Sequence, residues 1–239
     1  MFFKKKVNLP MNSSVIIVAA GSGTRFKGKI PKQYVKIKNE TILNLTVKQF
    51  INLNQIRYIQ PVINIHHKDI YYKTIENLKS LDNFNKILPP CFGGKERCIS
   101  VKKGLKAISQ IKDNPNKVLI HDAARPFVSK KIIREVLKKL EIYDAVLPCI
   151  SIVDTVWKIE KNDYKFLTNR SSYYRAQTPQ GFNFKKIFEA HKRNNETWVY
   201  DDIYLAKKNN FTITQILGSD FNIKITKPED LEIAERYLT

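Results

Sequence analysis

The chain has 239 residues, of which 43% are hydrophobic and 27% charged, and it contains only 8 Gly, 10 Pro and 3 Cys. This composition is typical of a globular protein with one sizeable core and excludes collagen-like, mucin-like and disulfide-framework classes. No apolar run approaches the roughly 18 residues that a membrane-spanning helix needs. The start, MFFKKKVNLPMNSS, lacks the apolar region of a secretory signal, and Met11 is an alternative first residue. Cys91, Cys98 and Cys149 form no C-x-x-C pair, so we expect a soluble protein of the reducing cytoplasm.

The charge is strongly basic: 42 Lys and Arg stand against 22 Asp and Glu, a formal net charge of +20. Such a balance attracts polyanions and phosphorylated substrates, so nucleic-acid binding is one hypothesis. The basic residues are spread over most of the chain, without zinc-finger spacing or an aromatic-basic pattern. We therefore favour another explanation of the basic charge over nucleic-acid binding. A/T-rich coding enriches Lys, Asn and Ile, and the basic residues also attract phosphate.

Short apolar runs alternate with helical patterns along the first two thirds of the chain. Buried strands are predicted at residues 14–20, 59–65, 117–121 and 145–149. Helices are predicted after an N-cap at Thr41 and at residues 70–81, 97–111 and 130–140. This alternation predicts a parallel sheet with helices on both faces, and ligands bound where loops leave the carboxyl ends of the strands.

Residues 151–177 interrupt this alternation. Two alternating stretches flank Lys161-Asn162-Asp163, which predicts a turn and a protruding hairpin arm. Such an arm usually needs a partner to cover it. Beyond it the chain predicts two helical stretches, strands at 211–216 and 222–226, and a final helix that begins at Pro228.

A Gly-rich loop follows the first predicted strand. Gly21-x-Gly23 begins like a dinucleotide fingerprint, but Phe26 stands where the third Gly belongs. Gly23 and Gly28 begin a P-loop pattern, but Ile30 replaces the hydroxyl residue that meets Mg²⁺. What remains is a strand exit whose small residues let backbone N–H groups approach phosphate. Basic residues surround it: Arg25, Lys27, Lys29 and Lys32.

Five motifs carry a family resemblance. They are A-A-G-S-G-T-R-F with P-K-Q-Y in residues 19–34, Gly93-Gly94-x-Glu96-Arg97-x-x-Ser100-Val101, His121-Asp122-Ala123-Ala124-Arg125-Pro126, Arg170 ahead of Gln177-Thr178-Pro179-Gln180, and Asn222-Ile223-Lys224-Ile225-Thr226-x-Pro228-Glu229-Asp230. In this order and spacing they resemble the 2-C-methyl-D-erythritol 4-phosphate cytidylyltransferase family over essentially the whole chain. The resemblance implies a Rossmann-like α/β nucleotidyltransferase fold, a single domain over residues 1–239, and residues 151–177 as a dimerisation arm.

The resemblance also implies site residues. The catalytic residues are Arg25, Lys32, Arg170 and Lys224. The nucleotide-binding residues are Ala19, Ala20, Gly21, Ser22, Gly23, Thr24, Gly94, Ser100, Asp122 and Ala123. The residues that bind the second substrate are Asp122, Thr155, Arg170 and Lys224, with Thr155 and Arg170 reaching the neighbouring subunit's site. Asp122 is the expected ligand of Mg²⁺, a hard cation that commonly takes only one or two carboxylates.

The implied reaction transfers the cytidylyl group of CTP to methylerythritol phosphate and releases pyrophosphate, in the non-mevalonate isoprenoid pathway. The implied protein is cytoplasmic and homodimeric, and binds neither membrane nor specific nucleic acid. Two alternatives stay open: a ribitol-5-phosphate cytidylyltransferase, which shares the loop and the Pro-Lys-Gln segment, and a nucleic-acid-binding protein. Because the chain ends at Thr239, soon after the last motif, we expect no fused cyclase activity.

Several residues receive no chemical role. Arg125 is expected to hold its loop. His66, His67 and His191 are expected at the surface or at helix ends, His121 within a strand, and Cys98 as a small helix residue. Tyr173, Tyr174 and Tyr200 depart from the family's usual residues, which affects the packing of the arm and its surroundings and leaves the predicted reaction unchanged.

Overall fold

A central sheet of eight strands organises the protein, and the computed structural model describes residues 12–23, 26, 28, 30–166, 169–196, 199 and 201–238. The strands are β1 (Ser13–Ala19), β2 (Lys36–Ile37), β3 (Glu40–Thr41), β4 (Ile56–Ile63), β5 (Cys91–Phe92), β6 (Lys117–Asp122), β7 (Ala145–Ser151), β8 (Trp157–Glu160), β9 (Asp163–Phe166), β10 (Tyr174–Ala176), β11 (Gln180–Asn183) and β12 (Ile213–Leu217). The helices are α1 (Ile42–Ile51), α2 (Lys68–Ile75), α3 (Arg97–Ser109), α4 (Lys130–Lys139), α5 (Phe184–Arg193), α6 (Asp202–Lys208) and α7 (Glu229–Arg236).

The main sheet runs in the spatial order β10-β7-β11-β6-β1-β4-β5, and β12 pairs with β7. Parallel pairing joins β1 to β4 and β6, β4 to β5, and β7 to β12. Strand β11 inserts antiparallel between β6 and β7, and β10 runs antiparallel to β7. The prediction of a mostly parallel α/β sheet is therefore confirmed, with antiparallel pairing concentrated where the arm leaves and rejoins the sheet.

Helices cover both faces of the sheet because its central strands are apolar on both sides. Along β1, Val15 and Ile17 pack with α1, α2 and α4, whereas Ile16 faces the layer of α3, α5 and α6. The predicted cap at Thr41 is present, since its side chain accepts a hydrogen bond from Asn44 N at 3.2 Å and so satisfies one free donor of α1. The carboxyl ends of β1, β4, β5 and β6 consequently meet at one edge.

The arm is a separate two-stranded hairpin of β8 and β9. Lys161 and Asn162, at φ 45° and 70°, form its two-residue turn, which is the backbone that a tight hairpin requires. Every residue of both strands is exposed. The hairpin and its turn are therefore where the sequence predicted them.

Two expectations about segments need correction. The predicted strand at 222–226 is wrong: the segment is irregular and forms no ladder, and it is held by single contacts such as Ile225 N to Ala124 O at 2.9 Å. The predicted helix at 70–81 is shorter, since α2 gives way to a 3₁₀ turn at Glu76–Leu78. Within the described residues, the structure shows no helix with the length and apolar character to cross a bilayer.

Candidate active site

A cleft of about 470 Å³ opens at the carboxyl ends of the parallel strands. It gathers most of the predicted site residues: Ala19, Ala20, Gly21, Ser22, Lys32, Gly94, Ser100, Asp122, Ala123 and Lys224. It is also lined by Val18, Gln33, Asn64, Lys95, Glu96, Arg97 and Ala124. Segments that are far apart in sequence therefore meet in one place, as the carboxyl ends of neighbouring parallel strands must.

Asp122, at the end of β6, is surrounded by cations. Lys224 Nζ lies 2.7 Å from Oδ2, Arg97 Nε lies 3.2 Å from Oδ1, and Arg125 Nε lies 3.9 Å from Oδ2. Burial alone would raise the pKa of Asp122, but Arg97, Lys224 and Arg125 outweigh it and hold that pKa well below its usual range. The carboxylate therefore stays ionised at neutral pH and sits in a positively charged cleft.

Arg97 connects Asp122 to a buried carboxylate behind the cleft. Its Nη1 lies 2.7 Å from Asp202 Oδ2, and His191 Nε2 lies 3.0 Å from Asp202 Oδ1. Burial favours the neutral guanidine, yet the Asp202 and Asp122 carboxylates raise the pKa of Arg97 above its ordinary value. Arg97 is thus held between two anions, which fixes the place of its side chain beside Asp122. His191 is at a helix end, as expected, and it is buried there.

The backbone at Asp122 is fixed by its neighbour His121. Thr178 Oγ1 accepts a hydrogen bond from Asp122 N at 3.1 Å and lies 3.0 Å from His121 Nδ1. His121 Nε2 lies 3.0 Å from the Arg125 carbonyl, which only accepts, so Nε2 carries the proton and Nδ1 accepts from Thr178. Burial lowers the pKa of His121 to about 4, which keeps the ring neutral in this role. His121 lies within β6, as the sequence predicted.

The Gly-rich loop after β1 is held by Gln33. Its Nε2 donates to Ala19 O at 2.7 Å and to Gly21 O at 3.1 Å. Lys32, in the same short 3₁₀ turn, donates to Ile225 O at 2.9 Å and so reaches the segment that carries Lys224. The Pro-Lys-Gln motif therefore supplies one side chain that holds the loop and one cation that enters the cleft.

The second glycine segment is supported by Ser100 from α3. Ser100 Oγ accepts from Gly94 N at 3.1 Å and lies 3.1 Å from Glu96 O. A Cβ on Gly93 would lie 2.4 Å from Ala20 Cβ and 2.6 Å from Ser100 Oγ, so only glycine fits there. The Ser100 hydroxyl, predicted to bind the nucleotide, is bonded to the loop backbone in this structure.

Some predicted residues lie elsewhere. Gly23, at φ +71°, is in the loop but does not line the cleft. Thr24 and Arg25 lie outside the described residues, as does Tyr200. Thr155 and Arg170 lie on the exposed arm, where Arg170 Nη1 donates to Val153 O at 3.0 Å.

Other parts of the site were not assigned from the sequence. Arg97 and Gln33 lie within two of the five motifs but have no predicted role, and Asp202 has none either. The position of Gln33 in the Pro-Lys-Gln-Tyr motif was an indication that it belongs to the site. The partnership of Arg97 with Asp202 appears only in the fold. Arg125 holds its loop as expected, since Nη1 donates to Asn222 O at 2.7 Å.

Comparison with known proteins identifies what this arrangement is similar to. The family model described as 2-C-methyl-D-erythritol 4-phosphate cytidylyltransferase matches residues 13–239. The protein of that name from Clostridioides difficile is 37% identical over 94% of this chain and 93% of its own length. A bifunctional enzyme IspD/IspF from Wolbachia pipientis is 36% identical over 93% of this chain, and the chain spans only 54% of that relative. The crystal structure of 4-diphosphocytidyl-2C-methyl-D-erythritol synthase from Anaerococcus prevotii superimposes with a TM-score of 0.79, at 27% identity over 95% of each chain.

Proposed function

This chain belongs to the 2-C-methyl-D-erythritol 4-phosphate cytidylyltransferase family, and from that premise we propose that it transfers the cytidylyl group of CTP to 2-C-methyl-D-erythritol 4-phosphate. The family match confirms the prediction of a cytidylyltransferase of isoprenoid biosynthesis. It favours that prediction over ribitol 5-phosphate transfer and over a nucleic-acid-binding function.

The observation that carries the proposal is the cation-rich cleft around Asp122. In the reaction, a phosphate oxygen of methylerythritol phosphate bonds to the α-phosphorus of CTP. The bond from that phosphorus to the bridging oxygen breaks, and pyrophosphate leaves with the electron pair. Such transfers need mainly positioning and neutralisation of charge. Lys32 and Lys224 both line this cleft and would supply both.

We assign roles by placing the nucleotide along the glycine segments. Backbone groups of residues 19–22 and of Gly94, which line the cleft, would face the base and phosphates, with Gly23, Thr24 and Ala123 completing the nucleotide site. Ser100 acts by shaping the Gly94 backbone. Arg25 and Lys32 stabilise charge at the α-phosphorus, and Lys224 binds the attacking phosphate.

The residues of the cleft fit a divalent cation. Asp122 is an ionised carboxylate whose side chain is 11% exposed at the cleft. The described residues contain no group of three or more His, Cys, Asp or Glu that could hold a metal ion by themselves. This suits Mg²⁺, which is commonly bound by one or two carboxylates together with substrate phosphates. Asp122 would hold the ion, whose charge would neutralise the phosphates of CTP.

The arm supports a homodimer. Its large side chains Trp157, Ile159, Tyr164 and Phe166 are each more than half exposed. Since monomeric proteins rarely leave such a patch uncovered, we assign it to a second copy of this chain, whose site Thr155 and Arg170 would complete. Residues 1–239 then act as one nucleotidyltransferase domain with residues 151–177 as its arm. The three cysteines are free thiols, which suits the cytoplasm.

The proposal is tested by measuring pyrophosphate release from CTP and Mg²⁺ with methylerythritol phosphate and with ribitol 5-phosphate. We expect release with the first alone, and a fall of about 10²–10³ in kcat for Lys32→Met, by analogy with losing one preorganised donor. Lys36→Met removes an exposed lysine nearby and should leave the rate unchanged. Release only with ribitol 5-phosphate, or with neither, would overturn the assignment.

A further inference from the structure

Lys224 belongs to a segment that no sheet holds. Asn222–Thr226 belongs to no strand or helix and makes no ladder. Its carboxyl-terminal part is fixed by Ile225, whose N–H donates to Ala124 O at 2.9 Å and whose carbonyl accepts from Lys32 Nζ at 2.9 Å. The position of Lys224 therefore also depends on the contacts that hold the other end of the segment, at Asn222.

Gln177 fixes that end together with Arg125, whose Nη1 donates to Asn222 O at 2.7 Å. Its Nε2 donates to Ser219 O at 2.8 Å, and its Oε1 accepts from Ser219 N at 3.1 Å and from Asn222 Nδ2 at 3.3 Å. Asn222 Nδ2 also donates to Thr178 O at 2.9 Å. Gln177 is 4% exposed and Asn222 is fully buried. One amide thus grips the loop as a neighbouring strand would, through a donor and an acceptor on the same residue.

The Gln177 amide packs closely against the backbone of Gly218. A Cβ on Gly218 would lie 2.4 Å from Gln177 Oε1. Gln177 also follows β10 directly, and β10 is the strand by which the arm returns to the main sheet. The side chain therefore joins the end of the arm to the loop that leads to Lys224.

We infer that Gln177 is a positioning residue. It couples the position of the arm to the position of Lys224, and so holds the Lys224 ammonium beside Asp122. This inference rests on the proposed function, because it needs Lys224 to bind the attacking phosphate. Without the Gln177 amide, the Ser219 N–H loses its partner and the Ser219 carbonyl loses one of two donors, the other being Asn222 N, and the loop shifts together with Lys224. The arm that completes one site would thereby also adjust a cation of its own subunit's site.

The chain offers a matched control. Arg175 Nη2 lies 3.0 Å from Asp220 Oδ1, so this ion pair joins the same two segments. Its side chains are 58% and 82% exposed, and exposed pairs contribute little. Asp220→Asn therefore removes a contact between arm and loop without removing the buried grip.

The test is a double-mutant cycle on cytidylyl transfer. Gln177→Met keeps the side-chain volume and should lower kcat/KM about tenfold, the effect of roughly one lost hydrogen bond. It should also raise the KM for methylerythritol phosphate, as Lys224→Met should. In a Lys224→Met background, Gln177→Met should cost less than about twofold, because the group it positions is gone. Asp220→Asn should cost less than about twofold in either background.

Equal losses from Gln177→Met in both backgrounds would overturn the inference, since a purely structural residue acts whether or not Lys224 is present. Wild-type kinetics in Gln177→Met would overturn it too. Should that variant not fold, Gln177→Glu keeps the Oε1 acceptor but turns an oxygen toward Ser219 O, and the same cycle applies.

A second measurement separates this inference from the proposed function. In hydrogen exchange followed by mass spectrometry, amides of residues 219–226 should exchange faster in Gln177→Met than in wild type or Asp220→Asn. Unchanged exchange there would contradict the grip. A wild-type protein that releases no pyrophosphate would overturn the proposed function, whereas the exchange result would still decide whether Gln177 holds the loop.

Discussion

Lys224 Nζ lies 2.7 Å from Asp122 Oδ2, and this contact joins the end of β6 to the irregular segment before α7. Both groups face the cleft, where the pair is 37% and 11% exposed. Asp122 therefore does not repel a phosphorylated ligand as a lone carboxylate would, because Lys224 and Arg97 neutralise it. The same contact holds the Lys224 ammonium at the cleft, where we propose that it binds the attacking phosphate.

Replacing Lys224 should affect turnover far more than stability. In Lys224→Met we expect kcat/KM to fall by about 10²–10³, since a positioned cation is lost from the reacting phosphates. The free energy of unfolding should change little, because the pair is partly exposed. Steady-state pyrophosphate release and urea unfolding measure the two effects. Lys227→Met removes an exposed lysine from the adjoining residues and should match wild type. A Lys224→Met enzyme of normal activity would remove Lys224 from the site.

Asp202 should contribute stability that acid removes. Burial alone would raise its pKa, but Arg97 and the hydrogen bond from His191 outweigh that effect and lower it. Such a carboxylate stabilises the fold above its unfolded pKa of about 3.9, and this contribution is lost as pH falls through the lower folded pKa. We expect Asp202→Asn to cost about 3–5 kcal/mol at pH 7, the usual effect of breaking a buried pair. The gap from wild type should begin to narrow below about pH 4.

Urea unfolding between pH 3 and pH 8 tests this prediction for Asp202→Asn and wild type. Asp113→Asn, which breaks an ion pair with Arg57 whose side chains are 36% and 60% exposed, should cost less than about 1 kcal/mol throughout. A constant gap between Asp202→Asn and wild type across the pH range would show that ionisation of Asp202 is not what stabilises the fold.

Two glycines should respond differently to alanine: Gly21, which lines the cleft, and Gly93, which precedes the cleft residue Gly94. A Cβ on Gly93 would lie 2.4 Å from Ala20 Cβ, whereas a Cβ on Gly21 would meet nothing within 4 Å. Gly93→Ala should therefore destabilise the protein by about 1–3 kcal/mol through overpacking. Gly21→Ala should leave the melting temperature unchanged yet raise KM for CTP, because the added methyl occupies the space of the nucleotide. Thermal unfolding and CTP kinetics of both variants check the contrast. A normal KM for CTP in Gly21→Ala would exclude Gly21 from the nucleotide site.

The sequence was sufficient wherever local pattern decides the structure. The apolar run of β1, the cap at Thr41 and the turn at Lys161 depend on nearby residues, and each is where it was predicted. The cleft was predictable for a related reason, since motifs that follow parallel strands meet at one edge.

The remaining features depend on distant contacts. Asn222–Thr226 has the alternation of a strand, but its partners are single backbone and side-chain groups rather than a neighbouring strand. Arg97 and Asp202 are 105 residues apart, and no periodicity links them. Gln177 carries no signal of its grip on Ser219 until the loop is folded against it. These contacts require the assembled sheet before they can be recognised.

The apolar face of the arm should control oligomeric state. Cross-strand pairing puts Trp157 opposite Phe166 and Ile159 opposite Tyr164, with the first two rings 5.4 Å apart. We expect wild type to sediment as a dimer at micromolar concentration, and Ile159→Lys to sediment as a monomer because it places a charge in the interface. Its melting temperature should stay near that of wild type, since the hairpin lies outside the core. Lys165→Gln alters the opposite face and should remain dimeric. A monomeric wild type, or a dimeric Ile159→Lys, would show that a second copy does not cover this face.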